Sequence, residues 1–324
     1  MKKKYNWGII GPGRIARKFA AGLQLLPDAR LYAVASRSAE RATAFAAEYA
    51  FDKAYSSYNE MLADPDVDIV YIATTNNLHF EHTMMCLEAG KAVLCEKPFA
   101  SNIEQVRQMV AKSQEKKVFL MEALSTRFMP SLLEMKRQID ADAVGKPVML
   151  QCDFGFVAPF DPQSRIYAPE LGGGSVPDIG IYPVFVAMFL FGKPVDIQVV
   201  SIPAPTGTDC TTAILFRHNG GEISMLTSSF QAVLENEARV YGEKGQLKLP
   251  RRFSRTGELL FIDNDGVETD LSPGMEGNGL HYEAAEVMAC LDSGLTESPA
   301  MPLRFSLDMM SVLEEITARA EGWC

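Results

Sequence analysis

The sequence is poor in the residues that build metal sites and disulfide frameworks. Among its 324 residues are four histidines and six cysteines, and the cysteines stand at positions 86, 95, 152, 210, 290 and 324. None of them forms the closely spaced Cys-x-x-Cys pair that many structural metal sites use. The composition therefore predicts no bound metal. Scattered cysteines of this kind are typical of a reducing compartment, so we expect a cytoplasmic protein.

Basic charge and long apolar runs are also scarce. The net charge is -10 at pH 7, which argues against a nucleic-acid partner because such proteins need a basic face. A local basic pocket for a phosphorylated cofactor remains compatible with this charge. We expect no membrane partner, because no 18-residue apolar run is apparent. Met1 to Lys4 imitate a signal peptide, but the apolar run behind them is short and meets Gly11, so we expect a first strand instead.

Short apolar runs alternate with segments of helical period through the first 120 or so residues. This alternation implies right-handed crossovers between parallel strands. The sequence therefore predicts an α/β, doubly wound (Rossmann) dinucleotide-binding domain over residues 1–123. The predicted strands are 5–10, 31–35, 67–73, 92–95 and 118–121, and the predicted helices are 14–26, 39–49, 79–89 and 103–116.

The pattern changes after Pro147, where β-rich runs are separated by turn signals such as Asn219-Gly220-Gly221. Strands joined by tight turns pair in an antiparallel way. We expect a C-terminal α+β domain over residues 124–324, with a large and mostly antiparallel sheet that serves substrate binding and dimerisation. The predicted strands are 148–157, 195–202, 210–217, 222–230, 237–242, 245–249 and 257–262, and the helices are 130–139, 281–292 and 304–320.

A glycine-rich turn joins the first strand to the first helix. It fits the pattern G-x-G-x-x-A, in which the first glycine permits a tight turn, the second admits a pyrophosphate and the alanine allows close packing. The N-terminus of the helix adds free N–H groups for the anion. The pattern predicts dinucleotide binding by Gly11, Pro12, Gly13, Arg14 and Ile15, with Ala16 completing the motif.

The end of the second strand indicates which dinucleotide is bound. NAD enzymes usually place an acidic residue there for the ribose hydroxyls, whereas this chain has Ser36, Arg37 and Ser38, with Arg41 one turn later. An arginine pairs with a 2′-phosphate, and the serines can donate hydrogen bonds to it. We therefore predict NADP rather than NAD as the cofactor. The alternative is a solvated strand end with Ser38 as a helix cap.

Glu96, Lys97 and Pro98 follow the apolar run 92–95 directly. A glutamate and a lysine are out of place in a core, and the proline ends the strand because it brings no N–H. Open α/β sheets bind their ligands beyond the carboxyl ends of the strands. The position is therefore typical of a redox site, although an exposed strand end would give the same pattern.

Two further motifs complete the set. Residues 74–79 read Thr-Thr-Asn-Asn-Leu-His, and residues 172–182 read Gly-Gly-Gly-Ser-Val-Pro-Asp-Ile-Gly-Ile-Tyr. Together with the glycine-rich turn and Glu96-Lys97-Pro98, they resemble the Gfo/Idh/MocA oxidoreductases over essentially the whole chain. Tyr182, where many members have histidine, resembles the branch of dimeric dihydrodiol dehydrogenases and NADP-dependent xylose dehydrogenases.

The resemblance implies roles for these residues. Tyr182 would be the acid/base for the substrate hydroxyl, and Lys97 would be the cation that favours its phenolate form. Glu96 would orient Lys97, and Asp178 would bind a substrate hydroxyl or the lysine, with a helix cap as its alternative role. The family also implies a cis bond between Lys97 and Pro98.

The remaining candidates are assigned by the same resemblance. Thr74, Asn76 and His79 would lie beside the cofactor, together with Glu96 and Lys97. Aromatic and basic residues in the second domain would contact the substrate, because ring faces suit sugar C–H surfaces. These candidate substrate contacts are Arg127, Phe154, Phe156, Arg165 and Tyr167, besides Asp178.

The sequence thus predicts an NADP-dependent dehydrogenase of a cyclic polyol, with an aldose such as xylose or glucose as substrate. A trans-dihydrodiol is the alternative substrate within the same chemistry. A sensor or regulator that binds NADP without turnover is the alternative from another class. An open sheet needs its second face covered, so we also expect a homodimer or a higher homo-oligomer formed through the C-terminal sheet.

Overall fold

The structure is a computed structural model that describes residues 3–321. Met1, Lys2 and Cys324, which enter the sequence analysis, lie outside that range. The chain packs as two units, of which the first contains Met1–Ser125 and Gly277–Leu307 and the second contains Thr126–Glu276 and Asp308–Cys324. The packing units therefore differ from a single division after residue 123, because a late segment joins the first unit.

A six-stranded parallel sheet forms the centre of the first unit. Its order is β3-β2-β1-β4-β5-β6, and every neighbouring pair is parallel. This is the doubly wound sheet that the alternation predicted. The strands are β1 (Tyr5–Ile10), β2 (Ala29–Ala35), β3 (Lys53–Tyr55), β4 (Ile69–Ile72), β5 (Ala92–Glu96) and β6 (Leu120–Ala123).

Five helices follow the first five strands along the chain. They are α1 (Arg14–Leu23), α2 (Ala39–Tyr49), α3 (Tyr58–Ala63), α4 (His79–Glu88) and α5 (Ile103–Lys116). Side-chain caps fix two of their starts, since Ser38 accepts from the Arg41 N–H and Asn102 accepts from the Gln105 N–H. The short elements β3 and α3 were not predicted, because three residues and six residues carry too little periodicity.

The central strands are buried on both faces. All four residues of β4 and all five of β5 are buried, as expected for parallel strands covered by helices on either side. This is why the sequence shows continuous apolar runs there instead of alternation. The run ends in Glu96, which is itself 9% exposed, so a carboxylate lies in the core at the end of β5.

The second unit contains an eight-stranded sheet of order β14-β13-β12-β11-β7-β10-β9-β8. Six of its pairings are antiparallel, and β7 with β10 is parallel, so the predicted mostly antiparallel sheet is confirmed. The strands are β7 (Pro147–Gly155), β8 (Asp196–Pro203), β9 (Asp209–Arg217), β10 (Ile223–Ser229), β11 (Ala238–Gly242), β12 (Gly245–Leu249), β13 (Leu260–Asp263) and β14 (Glu268–Asp270).

The second unit also contains the helices α6 (Pro130–Asp140) and α7 (Ile181–Phe191), and a π-helical turn, Val176–Gly180, precedes α7. By length and composition the segment Pro169–Phe191 could cross a membrane, so the expectation that no such segment exists was wrong. However, 83% of its apolar window is buried inside the protein, and α7 packs on β7 and β10. The segment is therefore the core helix of this unit.

The late segment begins with α8 (Leu280–Asp292), which packs on α1. The approach is close, since a side chain at Gly22 would lie 3.2 Å from the main-chain nitrogen of His281. The Tyr5 hydroxyl donates to Asp292 at 2.7 Å, which ties β1 to the end of α8. The final helix, α9 (Leu303–Glu321), begins in the first unit and ends in the second.

Candidate functional site

The carboxyl ends of the parallel strands gather the cofactor candidates at one edge of the first unit. Ile10 pairs with Ala35 on one side and with Ile72 on the other. Ile72 in turn pairs with Cys95, and Cys95 with Glu122. The segments that follow β1, β2, β4 and β5 therefore emerge side by side, where open α/β sheets bind their ligands.

The turn after β1 requires its first glycine. Gly11 has a φ of +87°, and a Cβ there would lie 2.8 Å from Cγ2 of Thr74. Its carbonyl accepts from the Gly13 N–H at 2.7 Å, which closes the turn just before α1. Ala16 is fully buried, so the helix packs closely on the sheet as the motif predicted.

The second glycine of the motif, Gly13, leaves open space in front of α1, here called the cradle. A Cβ at Gly13 would meet one described atom within 4 Å, the Gly11 oxygen at 3.9 Å, so the surrounding protein does not itself demand glycine there. Gly13 is also the N-cap of α1, and the first turn of that helix has no acidic residue. An open cradle in front of free helical N–H groups fits a pyrophosphate, with Pro12, Arg14 and Ile15 on either side.

The turn after β2 combines internal hydrogen bonds with two exposed arginines. The Ser36 side chain is buried and accepts from the Ser38 N–H at 3.2 Å, and Ser38 caps α2. The capping role weighed for Ser38 is therefore present. Arg37 and Arg41 are exposed, which leaves both guanidinium groups accessible to an anionic ligand.

Arg37 also lines a cavity of about 380 Å³ within the first unit. The other residues around it were not predicted, because they come from the unpredicted α3 region and from one side of α4, which only the fold brings together. Tyr58 and His82 form an edge-on ring contact with centroids 4.8 Å apart. The cavity is lined by Arg37, Ser56, Ser57, Tyr58, Asn59, Leu78, Glu81, His82 and Met85.

His79 joins the loop after β4 to the turn after β5. Its Nδ1 lies 2.8 Å from the Pro98 carbonyl oxygen and its Nε2 lies 3.2 Å from that of Thr74. The side chain is fully buried, and burial is the main reason that its pKa falls to about 4. At neutral pH the His79 ring is therefore neutral, so it donates one hydrogen bond to one of these carbonyl oxygens and packs against the other. Asn76 opens the short turn Asn76–Leu78 before it.

The turn after β5 is built around Lys97. The bond from Lys97 to Pro98 is cis, as the resemblance implied. Glu96 accepts a short hydrogen bond from the Tyr71 hydroxyl, and its other oxygen accepts from the Lys97 N–H at 3.3 Å. Lys97 itself is half-buried, so the main chain of the turn is fixed while the lysine side chain stays reachable.

Glu122, at the end of β6, was not among the predicted site residues. It is 3% exposed, and its Oε1 accepts from the Phe99 N–H at 3.1 Å. Burial is the largest cause that raises the pKa of Glu122, to about 7. A glutamate directly after the apolar run 118–121 was the available signal, because Glu96 likewise follows the apolar run 92–95.

In the second unit the structure brings two substrate candidates together. Arg165 donates to Asp178 with its Nη1 at 2.8 Å and its Nη2 at 3.4 Å, which makes a two-pronged ion pair. The side chain of Asp178 is 10% exposed and that of Arg165 is 44% exposed. Asp178 therefore has a charged partner within its own unit.

Tyr182 lies in the first turn of α7 and is half-buried. Its ring faces Phe154 of β7, with centroids 5.6 Å apart, and Phe154 also contacts Phe253 at 6.1 Å. Asp178 precedes Tyr182 in the π-helical turn. The unit thus presents a phenol with an aromatic wall on one side.

A buried carboxylate anchors the segment that carries Asp178 and Tyr182. Asp209 accepts from the Ser175 hydroxyl at 2.5 Å, from the Val176 N–H at 2.9 Å and from the Thr212 hydroxyl at 3.1 Å. Burial raises the pKa of Asp209, and these donors oppose that rise. The sequence gives no local signal for the role of Asp209, because two of its three partners, Ser175 and Val176, lie 34 and 33 residues away along the chain.

The other substrate candidates have different surroundings. The Arg127 guanidinium lies over the Phe189 ring at 4.6 Å, two turns along α7 from Tyr182. Phe156 is 38% exposed and contacts Phe230, whereas Tyr167 is buried and its hydroxyl donates to the Ala158 carbonyl at 3.1 Å. Tyr167 therefore has a packing role, and substrate contact by any of the three stays a prediction.

Comparison with known proteins identifies the family. Residues 5–124 match the oxidoreductase family model GFO/IDH/MocA with an NAD-binding Rossmann fold, and residues 132–248 match the C-terminal domain of the same family. The chain belongs to the Gfo/Idh/MocA oxidoreductase family. The resemblance stated from the sequence is therefore confirmed, as are the oxidoreductase class and an NAD(P)-type cofactor.

Curated relatives are similar over nearly their whole length. The trans-1,2-dihydrobenzene-1,2-diol dehydrogenases of Xenopus laevis and Homo sapiens are 36% and 37% identical to this chain, and the alignments cover 96% of it and 96% and 95% of the relatives. Among solved structures, the aldose-aldose oxidoreductase of Caulobacter crescentus, complexed with glycerol, has a TM-score of 0.91 at 25% identity, with 99% of both chains covered.

Proposed function

We propose that this oxidoreductase is an NADP-dependent dehydrogenase that oxidises a ring CH–OH of a cyclic polyol, with an aldose as substrate and its anomeric carbon as the reacting centre. The turn around Lys97 is the observation that carries the proposal. A reachable lysine on a fixed main chain stands at the edge of the sheet where the glycine-rich turn offers a pyrophosphate cradle. The relatives named for aldoses and for dihydrodiols share this substrate chemistry.

The reaction requires a base and a hydride acceptor. NADP, when bound, supplies the hydride acceptor. Tyr182 would accept the hydroxyl proton while the C–H bond of the substrate breaks, its hydride leaves for the cofactor and a carbonyl forms. Lys97 would be the cation that supports this proton transfer, and Glu96 holds the lysine's main chain. Asp178 accepts a hydrogen bond from a second substrate hydroxyl, with Arg165 holding the carboxylate.

Residues of the first unit would hold the cofactor. Gly13 and the first turn of α1 would hold the pyrophosphate, and Arg37 with Arg41 would pair with the 2′-phosphate. Thr74, Asn76 and His79 would form the loop beside the nicotinamide. The absence of a carboxylate from residues 36–38 favours NADP, since an acidic residue there would repel the phosphate.

A panel of substrates tests the proposal directly. Aldoses and trans-dihydrodiols are incubated with the full chain and either NADP or NAD, and reduced cofactor is followed by its absorbance. We expect turnover of at least one aldose and a lower Michaelis constant for NADP. Turnover of trans-dihydrodiols but of no aldose would show that the substrate is a dihydrodiol, the alternative named above. Tight NADP binding without turnover of any substrate would contradict the proposed enzymatic activity and favour a sensor that binds NADP.

The open face of the second sheet supports a dimer. Met225 pairs with Leu215 across β10 and β9, and both are more than 40% exposed. Ile223, Val200 and Ile202 extend this apolar surface, and such patches on monomers are usually small. We propose a homodimer formed through this face. We also propose a cytoplasmic location, which is consistent with the five described cysteines being free thiols. Leu215→Glu should give a monomer by native mass measurement, and an unchanged mass would contradict the dimer.

A further inference from the structure

Two buried carboxylates end neighbouring strands on either side of the turn that carries Lys97. Glu96 ends β5, and Glu122 lies at the end of β6, where it pairs in register with Cys95. They are 9% and 3% exposed. Carboxylates are seldom buried so completely without a role, because desolvation of the charge is costly.

The main chain of the turn is held by side chains on three sides. The Lys97 N–H donates to Glu96, the Phe99 N–H donates to Glu122 at 3.1 Å, and the Pro98 carbonyl faces Nδ1 of His79 at 2.8 Å. The three contacts bracket Lys97, so its backbone has little freedom. Of these three side chains, the proposed function leaves Glu122 without a task.

The charges around Glu122 come from several elements. Glu96 and Cys95 face it from β5, Lys97 faces it from the turn and Ser306 faces it from α9. Its Oε2 makes no regular hydrogen bond within the described residues, although the Ser306 hydroxyl is near enough to favour the charged form. If Glu96 and Glu122 were both ionised, two negative charges would face the single positive charge of Lys97. A neutral Glu122 leaves only the negative charge of Glu96 opposite that lysine.

We propose that Glu122 is a positioning residue for Lys97, which holds the Lys97-Pro98-Phe99 turn by the Phe99 N–H and limits the negative charge that faces the lysine. This inference rests on the proposed function of Lys97. It adds a residue that touches neither substrate nor cofactor and acts through the turn alone.

Two variants separate the hydrogen bond from the charge. Glu122→Gln retains an oxygen for the Phe99 N–H but can carry no charge, whereas Glu122→Ala lacks both the oxygen and the charge. Met121→Ala is the matched control, because Met121 is equally buried on the same strand and faces the opposite side of the sheet. It removes packing without touching the turn.

The first readout is turnover with NADP and a polyol. We expect Glu122→Ala to lower kcat about tenfold or more with the Michaelis constant for NADP within about twofold of the wild-type value. Glu122→Gln should restore kcat near pH 6 and exceed the wild type above pH 7, where the wild-type glutamate ionises. Met121→Ala should lower the unfolding midpoint and leave kcat unchanged. A normal kcat in Glu122→Ala, or failure of Glu122→Gln to restore it, overturns the proposal.

The second readout needs no substrate, so it remains valid if the proposed function fails. The full chain is acetylated briefly at pH 8, and the labelling of Lys97 is compared by mass spectrometry with that of exposed lysines. Loss of Glu122 frees the turn and removes negative charge, so we expect Lys97 to react severalfold faster in Glu122→Ala and unchanged in Met121→Ala. Equal labelling of Lys97 in all three proteins overturns the positioning role.

Discussion

The candidate residues around Lys97 in the first unit and around Tyr182 in the second lie in different surroundings. In the first unit Glu96, Glu122 and His79 are buried and bonded to main-chain groups around Lys97. In the second unit Tyr182 is half-buried beside an aromatic ring, and Asp178 pairs with an exposed arginine. The groups around Lys97 are therefore built into the core of the first unit, whereas Tyr182 lies half-buried on α7. Substitution of the buried groups around Lys97 should lower both stability and activity, and substitution of Tyr182 should lower activity alone.

The largest effect tests the second half of this comparison. We expect Tyr182→Phe to lower kcat by about 10² to 10⁴, the range of a positioned acid/base, while the unfolding midpoint and NADP binding stay near wild-type values. Lys97→Met should lower kcat to a similar degree. Initial rates and a binding titration measure these values.

Tyr241→Phe is the control for the lost hydroxyl, because the Tyr241 hydroxyl donates to Gln151 on the open sheet face. It should retain full turnover. Near-normal turnover in Tyr182→Phe would show that Tyr182 is not the acid/base. The contrast between the two units would then lose its support as well.

The next effect tests the buried His79 in the first unit. Burial lowers the pKa of His79 to about 4 from the ordinary 6.5. A histidine with a lowered pKa contributes stability that is present above pH 6.5 and is lost as the pH falls towards 4. We expect His79→Asn to remove up to about 3 kcal/mol of that acid sensitivity. Denaturant unfolding between pH 7 and pH 4 measures it.

His218 provides the matched comparison in the second unit. Burial lowers its pKa too, and its ring bonds to the Gly192 carbonyl and to Ser224. His218→Asn should reduce acid sensitivity without changing NADP binding, whereas His79→Asn should weaken NADP binding because it frees two loops. Identical pH slopes in wild type and His79→Asn would show that His79 is not the titrating group.

What the sequence could predict depends on whether a feature has a local signal. The glycine-rich turn and the parallel sheet were predictable, because strand ends and helix starts have such signals, whereas the cis bond before Pro98 was expected from the family resemblance alone. The bond from Glu122 to Phe99 spans 23 residues and that from Asp209 to Ser175 spans 34, and no local pattern announces such contacts. The parallel pairing of β7 with β10 was hidden for the same reason.

An exposed residue of the first unit sharpens the comparison. Arg37 is in that unit but at its surface, so Arg37→Ala should leave stability unchanged. We expect the Michaelis constant for NADP to rise about 10- to 100-fold, the cost of a lost charged hydrogen bond, and that for NAD to stay the same. Arg30→Ala is the control, because Arg30 is an exposed arginine paired with Asp52 at 2.7 Å. An equal loss for NAD and NADP would contradict phosphate pairing.

A small stability effect is expected for the ion pair of Arg165 with Asp178. Because Arg165 is 44% exposed, solvent screens the pair, and Arg165→Met should cost about 1 kcal/mol or less in unfolding free energy. Its effect on the Michaelis constant for a polyol should be larger, because Arg165 no longer helps to fix the orientation of the Asp178 carboxylate towards the substrate. Asp178→Asn should raise that constant further while NADP binding is retained. If both variants lose stability and keep their Michaelis constants, the pair is structural, and the second unit then holds its charged groups as the first does.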